Sequence, residues 1–400
     1  MRVLPCLLSL CLLAGIAHAQ SAPFTPADDA TVLERQTAPK RTVDGLRALR
    51  VQQRTLAEDP NNLELAIAFA RAAITLGRAE ADPRYFGYAE SGLRPWLDQT
   101  APPPAALLLR ATLRQQRHDF AGAVRDLDAL IAADAGNAQA HLTRALVLMV
   151  QGRPGDALRD CAALVGRASF IATATCIAEA RSLDGHAAAA QSTLDAVLSN
   201  ETAASIDERI WARTTAAELA ERRGESMAAE RHFKAALDQL AAADQRDPYL
   251  LTAWADFLIA HGRASEAVGL LGDFTRVDNL LLRLALAESA VGDARLEEHM
   301  RLLQARFDET RQRGDTVHLR EETMFELRLR KNAKRALELA TQNWRTQREP
   351  ADARLLLQSA QASGQPDAAQ PVLDWMQATG IEDPELKMLA AALHATGAGS

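Results

Sequence analysis

The chain has 400 residues, 48% of them hydrophobic but only 4% aromatic, with 81 Ala against 21 Gly and 16 Pro. So much small apolar residue with so little aromatic bulk suits closely packed helices and excludes collagen, disorder and an all-β fold. The formal charge of −7, or −8 once Arg2 is lost with a leader (44 basic against 52 acidic residues), has the wrong sign for a general nucleic-acid or anionic-membrane binder.

Met1-Arg2 supplies one positive charge, Val3 to Ile16 is an apolar run, and Ala17-His18-Ala19 is a small-x-small cleavage site. Residues 1–19 therefore read as a signal peptide cleaved after Ala19, and the protein is expected in the periplasm. The run is shorter than the roughly 18 residues a membrane span needs, and no later stretch of that length lacks charges, so no membrane insertion is expected. Leu8-Ser9-Leu10 before Cys11 lacks the small residue a lipoprotein signal places there. Residues 20–42, polar and proline-spotted, read as a flexible segment, and residues 43–60 as a leading helix ended by Asp59-Pro60.

Residues 61–377 carry a ladder. A glycine follows successive apolar helical runs at Gly77, Gly152, Gly185, Gly224, Gly262, Gly292 and Gly364, with His118 and Lys331 filling two gaps. From His118 the steps are 34, 33, 39, 38, 30, 39 and 33 residues. Seven positions before the anchors stand Ala70, Ala111, Ala145, Ala178, Ala217, Ala255, Ala285, Met324 and Leu357. Five positions after them, from His118 on, stand Ala123, Ala157, Ala190, Ala229, Ala267, Glu297, Ala336 and Ala369. Fourteen of these 17 positions are Ala, where the composition would give about three or four, and small residues at a fixed period mark a repeated close crossing of paired helices.

The ladder resembles the tetratricopeptide repeat family, a likeness also carried by Leu107, Ala111, Phe120, Ala123 and Leu127 in the unit from Pro104 to Asn137. The resemblance implies an all-α fold: a right-handed α-solenoid of eight or nine stacked helix-turn-helix units whose concave face binds a peptide or protein. Each anchor is expected to be a helix C-cap in the left-handed region. Ala79 to Arg84 reads as an insertion, the unit near 293–330 as degraded, with Glu297 where Ala is expected, and residues 378–400 as a capping helix from Asp383-Pro384 with a tail.

Cys161 falls in the second helix of the unit anchored at Gly152 and Cys176 in the first helix of the next. Their midpoint lies in the connection from Gly166 to Phe170, so in an antiparallel pair the two stand at the same height, and a disulfide is expected.

No metal-spaced His pair, phosphate loop, dinucleotide glycine fingerprint or G-x-S-x-G elbow occurs. No catalytic residue, metal or cofactor is therefore expected, and the chain reads as a non-enzymatic binding protein. Arg328, Arg330, Lys331, Lys334 and Arg335 read as a solvated helix face paired with Glu326 and Glu338.

The resemblance places inward-facing residues at the second, fifth, ninth and twelfth to thirteenth positions of each first helix. These are Trp211, Thr214, Glu218, Glu221 and Arg222 in the unit anchored at Gly224, and Tyr249, Thr252, Asp256, Ile259 and Ala260 in the next. The expected site is Trp211, Thr214, Glu218, Glu221, Arg222, Tyr249 and Asp256. Its aromatic anchors and carboxylates suit a basic peptide or a protein of the cell envelope. Leu142, Leu146, Met149 and Val150 at the equivalent positions of an earlier unit read either as a second pocket or as packed wall. Two rivals stand beside this reading: a saccharide-binding or cell-wall-processing accessory, its sugar stacked on Trp211 and Tyr249, and an enzyme with an unrecognised site.

Overall fold

Among the described residues, helix α1 (Lys40–Glu58) precedes nine antiparallel helix pairs. The first five are α2 (Leu63–Glu80) with α3 (Arg84–Leu97), α4 (Pro104–Gln116) with α5 (Phe120–Ala133), α6 (Ala138–Val150) with α7 (Pro154–Ala162), α8 (Phe170–Ser182) with α9 (Ala187–Leu198), and α10 (Ile206–Arg222) with α11 (Ser226–Ala242). The other four are α12 (Pro248–Ala260) with α13 (Ala264–Leu271), α14 (Asp278–Val291) with α15 (Leu296–Gln312), α16 (Leu319–Met324) with α17 (Ala333–Asn343), and α18 (Pro350–Ala362) with α19 (Gln370–Thr379). Helix α20 (Pro384–Gly397) follows. The computed structural model describes Asp28, residues 40–199 and residues 204–397, and no strand occurs among them; the expected leader and its cleavage site lie outside the described residues.

The ladder positions explain the pairing. Gly152, Gly185, Gly224, Gly262, Gly292 and Gly364 have φ between 67° and 85°, and the non-glycine anchors His118 and Lys331 share the left-handed region at 58° and 56°. The Ala residues on both sides of the turns are buried, Ala111, Ala145, Ala217, Ala255 and Ala267 completely, so paired backbones meet without side-chain bulk. Gly77 departs from the expectation. It lies inside α2, which runs on to Glu80 and takes its left-handed cap at Ala81 (φ 50°). A Cβ on Gly77 would come within 2.8 Å of the Phe86 ring, so this glycine serves the crossing of α2 with α3, and the expected insertion is partly an extra turn of helix. In the degraded unit Glu297 is exposed. There α14 and α15 are joined instead by a buried pair, His299 Nδ1 lying 2.8 Å from Glu288 Oε2.

First helices from α2 to α14 also pack on one another in turn, so α8, α10, α12 and α14 form a continuous inner row. The disulfide between Cys161 on α7 and Cys176 on α8, Cα atoms 5.4 Å apart, ties one unit to the next inside the core.

Between Asp44 and the C-terminus the array returns on itself. The Arg348 N–H donates to the Val150 carbonyl at 2.8 Å, Gln347 Nε2 donates to His118 at 2.6 Å, and the Ala188 N–H donates to Glu382 at 3.2 Å. Leu148, Met149 and Leu183 share one core cluster with Trp344, Leu356 and Trp375, and Leu142 and Leu146 pack against it. The Leu142 to Val150 face is therefore packed wall, covered by the last units of the same chain. The turn at Gly152 is pressed so closely that a Cβ there would stand 2.8 Å from Arg348 Cβ and 3.0 Å from Trp375 Nε1.

Candidate partner-binding groove

Two capped helix starts position the aromatic residues. Ser205 accepts from the Glu208 N–H at 3.3 Å while Glu208 accepts from the Ser205 N–H at 2.9 Å, a capping box that begins α10 four residues earlier than the ladder implied and makes Trp211 its sixth residue. Asp247 accepts from the N–H groups of Tyr249 and Leu250 at 2.9 and 3.2 Å and Pro248 takes the first helical position, which sets Tyr249 at the mouth of α12.

From these starts the side chains diverge in role. The Tyr249 hydroxyl donates to Glu218 Oε1 at 2.7 Å, although the residue is 62% exposed. Trp211 is partly buried against the cluster that holds the return of the chain. Arg222 Nη2 donates to Ser182 Oγ at 2.7 Å. Thr214 is buried, and its hydroxyl donates to the Ile210 carbonyl of its own helix at 2.8 Å, so it presents nothing to a partner. Glu221 lies against His261 Nε2 at 3.1 Å. Asp256 accepts from Arg283 at 3.0 Å, and that guanidinium is itself buried on α14. The expected acidic stripe is thus partly neutralised from within, and Trp211, Glu218, Arg222 and Tyr249 form the central group.

Glu179 of α8 completes it and was absent from the sequence reading. It stands six residues before Gly185, as Glu218 stands before Gly224 and Asp256 before Gly262, so the same spacing applied one unit earlier finds it. Burial pushes the Glu179 carboxyl up to about 8, with the negative field of Glu218 and Glu349 adding to the shift and Arg222 and the Trp211 side-chain hydrogen bond opposing it. Burial raises Glu218 to about 7 against the Tyr249 hydrogen bond and Arg222. Burial likewise lowers Arg222, with Asp383, Glu218 and Glu179 pulling it back. Tyr249 is raised well above the usual phenol value by burial first and then by Glu218 and Glu349. The ring keeps a wet face while its hydroxyl end is held against Glu218 in the field of Glu349 and Glu179.

The facing wall is held by ion pairs. Arg320 binds Asp352 at 2.6 Å and also Glu349, and Arg354 lies 2.7 Å from Glu385 and 3.8 Å from Asp383. The expected basic face is divided. Arg335 pairs with Glu338 at 3.2 Å, Glu326 is buried, and Arg328 is lowered by burial and donates to Gln358 at 3.4 Å. Lys334 and Glu338 line a separate cavity of about 480 Å³ with Leu337, Thr341, Gln342 and Arg345, away from the Trp211 group. Among the described residues no group of three or more His, Cys, Asp or Glu is placed to hold a metal, and no helix is long and apolar enough to cross a membrane.

No protein-family model and no curated protein matches the chain. Solved structures do. A tetratricopeptide repeat protein from Parabacteroides merdae is 16% identical over 72% of this chain and 98% of its own, with a TM-score of 0.37. A Rap protein complexed with competence and sporulation factor is 14% identical over 89% and 95% (TM-score 0.46), and a human IFIT1 dimer with m7Gppp-AAAA is 14% identical over 85% and 86% (TM-score 0.46). At these values the likeness says nothing of what this chain binds. The helices, their pairing and the left-handed turns at the repeat anchors make the chain an all-α solenoid of tetratricopeptide-like hairpins.

Proposed function

We propose that the chain is a periplasmic interaction scaffold that holds a protein or peptide of the cell envelope along its inner row, with Trp211 and Tyr249 as the anchors. The observation that carries this is Tyr249: a large aromatic, 62% exposed, fixed by Glu218 and set one unit beyond the partly buried Trp211 at the equivalent position. An aromatic that packs against little and is nonetheless held in one place is what a binding hot spot needs, because its ordering cost is met before the partner arrives. The leader features of residues 1–19 and the disulfide support an oxidising compartment outside the cytoplasm.

The test is capture from an envelope extract on the immobilised protein, beside a Trp211→Ala/Tyr249→Ala variant of unchanged circular dichroism. A protein retained by the wild type and lost from the variant supports the proposal. Equal retention overturns it, and retention of glycan in place of protein moves the reading to a saccharide binder. N-terminal sequencing of the exported protein should begin at Gln20; a chain retaining Met1 contradicts the cleaved leader.

A further inference from the structure

Resting on that reading of the groove, we propose that the inner row seats a lysine or arginine side chain of the partner polypeptide. Its cationic head would lie between the carboxylates of Glu179 and Glu218, and its aliphatic stem against the rings of Trp211 and Tyr249.

The inner row repeats a Thr-x-x-x-acid pattern in three successive units: Thr175 and Glu179, Thr214 and Glu218, Thr252 and Asp256. The third acid already has its cation in Arg283. Around the groove Glu221 has His261, Glu349 and Asp352 have Arg320, and Asp383 and Glu385 have Arg354. Glu179 and Glu218 make no such ion pair, although the negative field of Glu218 reaches Glu179. Glu179 Oε2 is sealed from solvent and has no hydrogen-bond partner. One helical turn before it on the same face, Thr175 is completely buried and its hydroxyl is also unpartnered. A carboxylate with a free buried oxygen, a second carboxylate on the first helix of the next unit and two aromatic rings tied to them form a receptor for a long cationic side chain, since such a chain brings donors for the oxygens and methylenes for the rings.

Arg222 is the competing cation whose field reaches both carboxylates. Its guanidinium donates to Ser182, and Asp383 offsets it from the facing wall. An acidic segment seated on Arg222 and Arg328 is the opposite occupant. The unpartnered oxygens favour the cation, because an acid would leave Glu179 Oε2 unpaired and add a third negative group beside Glu218.

The groove holds a proton near neutrality, Glu179 titrating at about 8 and Glu218 at about 7 among Arg222, Tyr249, Trp211, Glu349, Asp256, Asp383 and Arg354. A bound cation takes the place of that proton. Binding should therefore release protons at neutral pH and weaken as the solution is acidified from about 8 downward.

The experiment uses the full chain and doubly capped Gly-Ser-X-Ser-Gly peptides with X as lysine, arginine, norleucine or glutamate. They are titrated by calorimetry in two buffers of different ionisation enthalpy. At pH 7 the lysine or arginine peptide should bind about ten-fold or more tighter than the norleucine peptide, with proton release that fades above the Glu179 value of about 8. That preference should vanish in Glu179→Gln/Glu218→Gln, whose folding is checked by thermal melting. Equal binding of lysine and norleucine peptides, tighter binding of the glutamate peptide, an unchanged preference in the Gln variant, or no binding of any peptide at millimolar concentration overturns the proposal. An envelope partner held equally by wild type and the Gln variant but lost from Trp211→Ala would remove the cation seat and leave the scaffold standing.

Discussion

The Tyr249 hydroxyl donates to Glu218 Oε1 at 2.7 Å, one first helix reaching back to the preceding one across the inner row. The bond favours the ionised carboxylate and opposes the burial that holds Glu218 at about 7. Tyr249→Phe removes the donor and keeps the ring. The Glu218 midpoint should then rise by about one pH unit, read from the carboxyl carbon resonance of labelled protein; an unmoved midpoint would show that the bond is not formed in solution.

Two opposed pH windows follow from the buried groups. Burial lowers His118 to about 4, so the fold favours its neutral form. Its contribution is complete above the ordinary value near 6.5 and is lost as pH falls toward about 4. Glu179 and Glu218 have the reverse sign: raised from 4.5 to about 8 and about 7, they contribute stability below 4.5 that is lost as pH rises through the folded values. Denaturant titrations across pH should therefore show Glu179→Gln/Glu218→Gln gaining on the wild type above about pH 8 and little below 4.5. His118→Asn, which tolerates the left-handed backbone, should flatten the acid side. A Gln variant that loses stability at alkaline pH would reverse this account.

The Cys161–Cys176 bridge closes a loop with a sequence separation of 15. A loop of that length should stabilise the chain by about 3 kcal/mol through the unfolded state. Cys161→Ala/Cys176→Ala should lower the unfolding free energy by that order in guanidinium titrations. Reduction of the wild type should produce a similar loss, whereas no change on reduction would show that the core holds both positions without the bond.

Gly152 and Gly224 separate backbone strain from the return of the chain. Both are left-handed, at φ 71° and 77°, but a Cβ meets Arg348 and Trp375 at Gly152 and open space at Gly224. Gly224→Ala should cost about 1–2 kcal/mol from the backbone alone. Gly152→Ala should cost a further 1–3 kcal/mol or so, because the last units must move away. Equal costs in thermal unfolding would show that this seam is loose in solution.

Local chemistry made most of the array legible. Left-handed turns leave a glycine, or at His118 and Lys331 a tolerated substitute, and close crossings leave Ala, so anchors and spacing show in the chain order itself. Gly77 misled because a glycine at a crossing and a glycine at a cap look alike in sequence. The Arg348 bond to Val150 joins residues almost 200 apart and follows no period, so the covered Leu142 to Val150 face could not be told from a pocket. Glu179 was legible at the repeat spacing. The Arg283 countercharge to Asp256 was not, because it stands off the inner-row register on α14, the first helix of the next unit.

The most direct test of the groove is the affinity of an isolated partner for Trp211→Ala, measured beside Met227→Ala, an 81% exposed residue on α11, as a surface control. Removal of the Trp211 ring should cost more than about 1 kcal/mol of binding free energy, with the Met227 variant unchanged and neither protein unfolded. Affinity for Trp211→Ala equal to that of the wild type would contradict the central claim that the inner row is the binding surface.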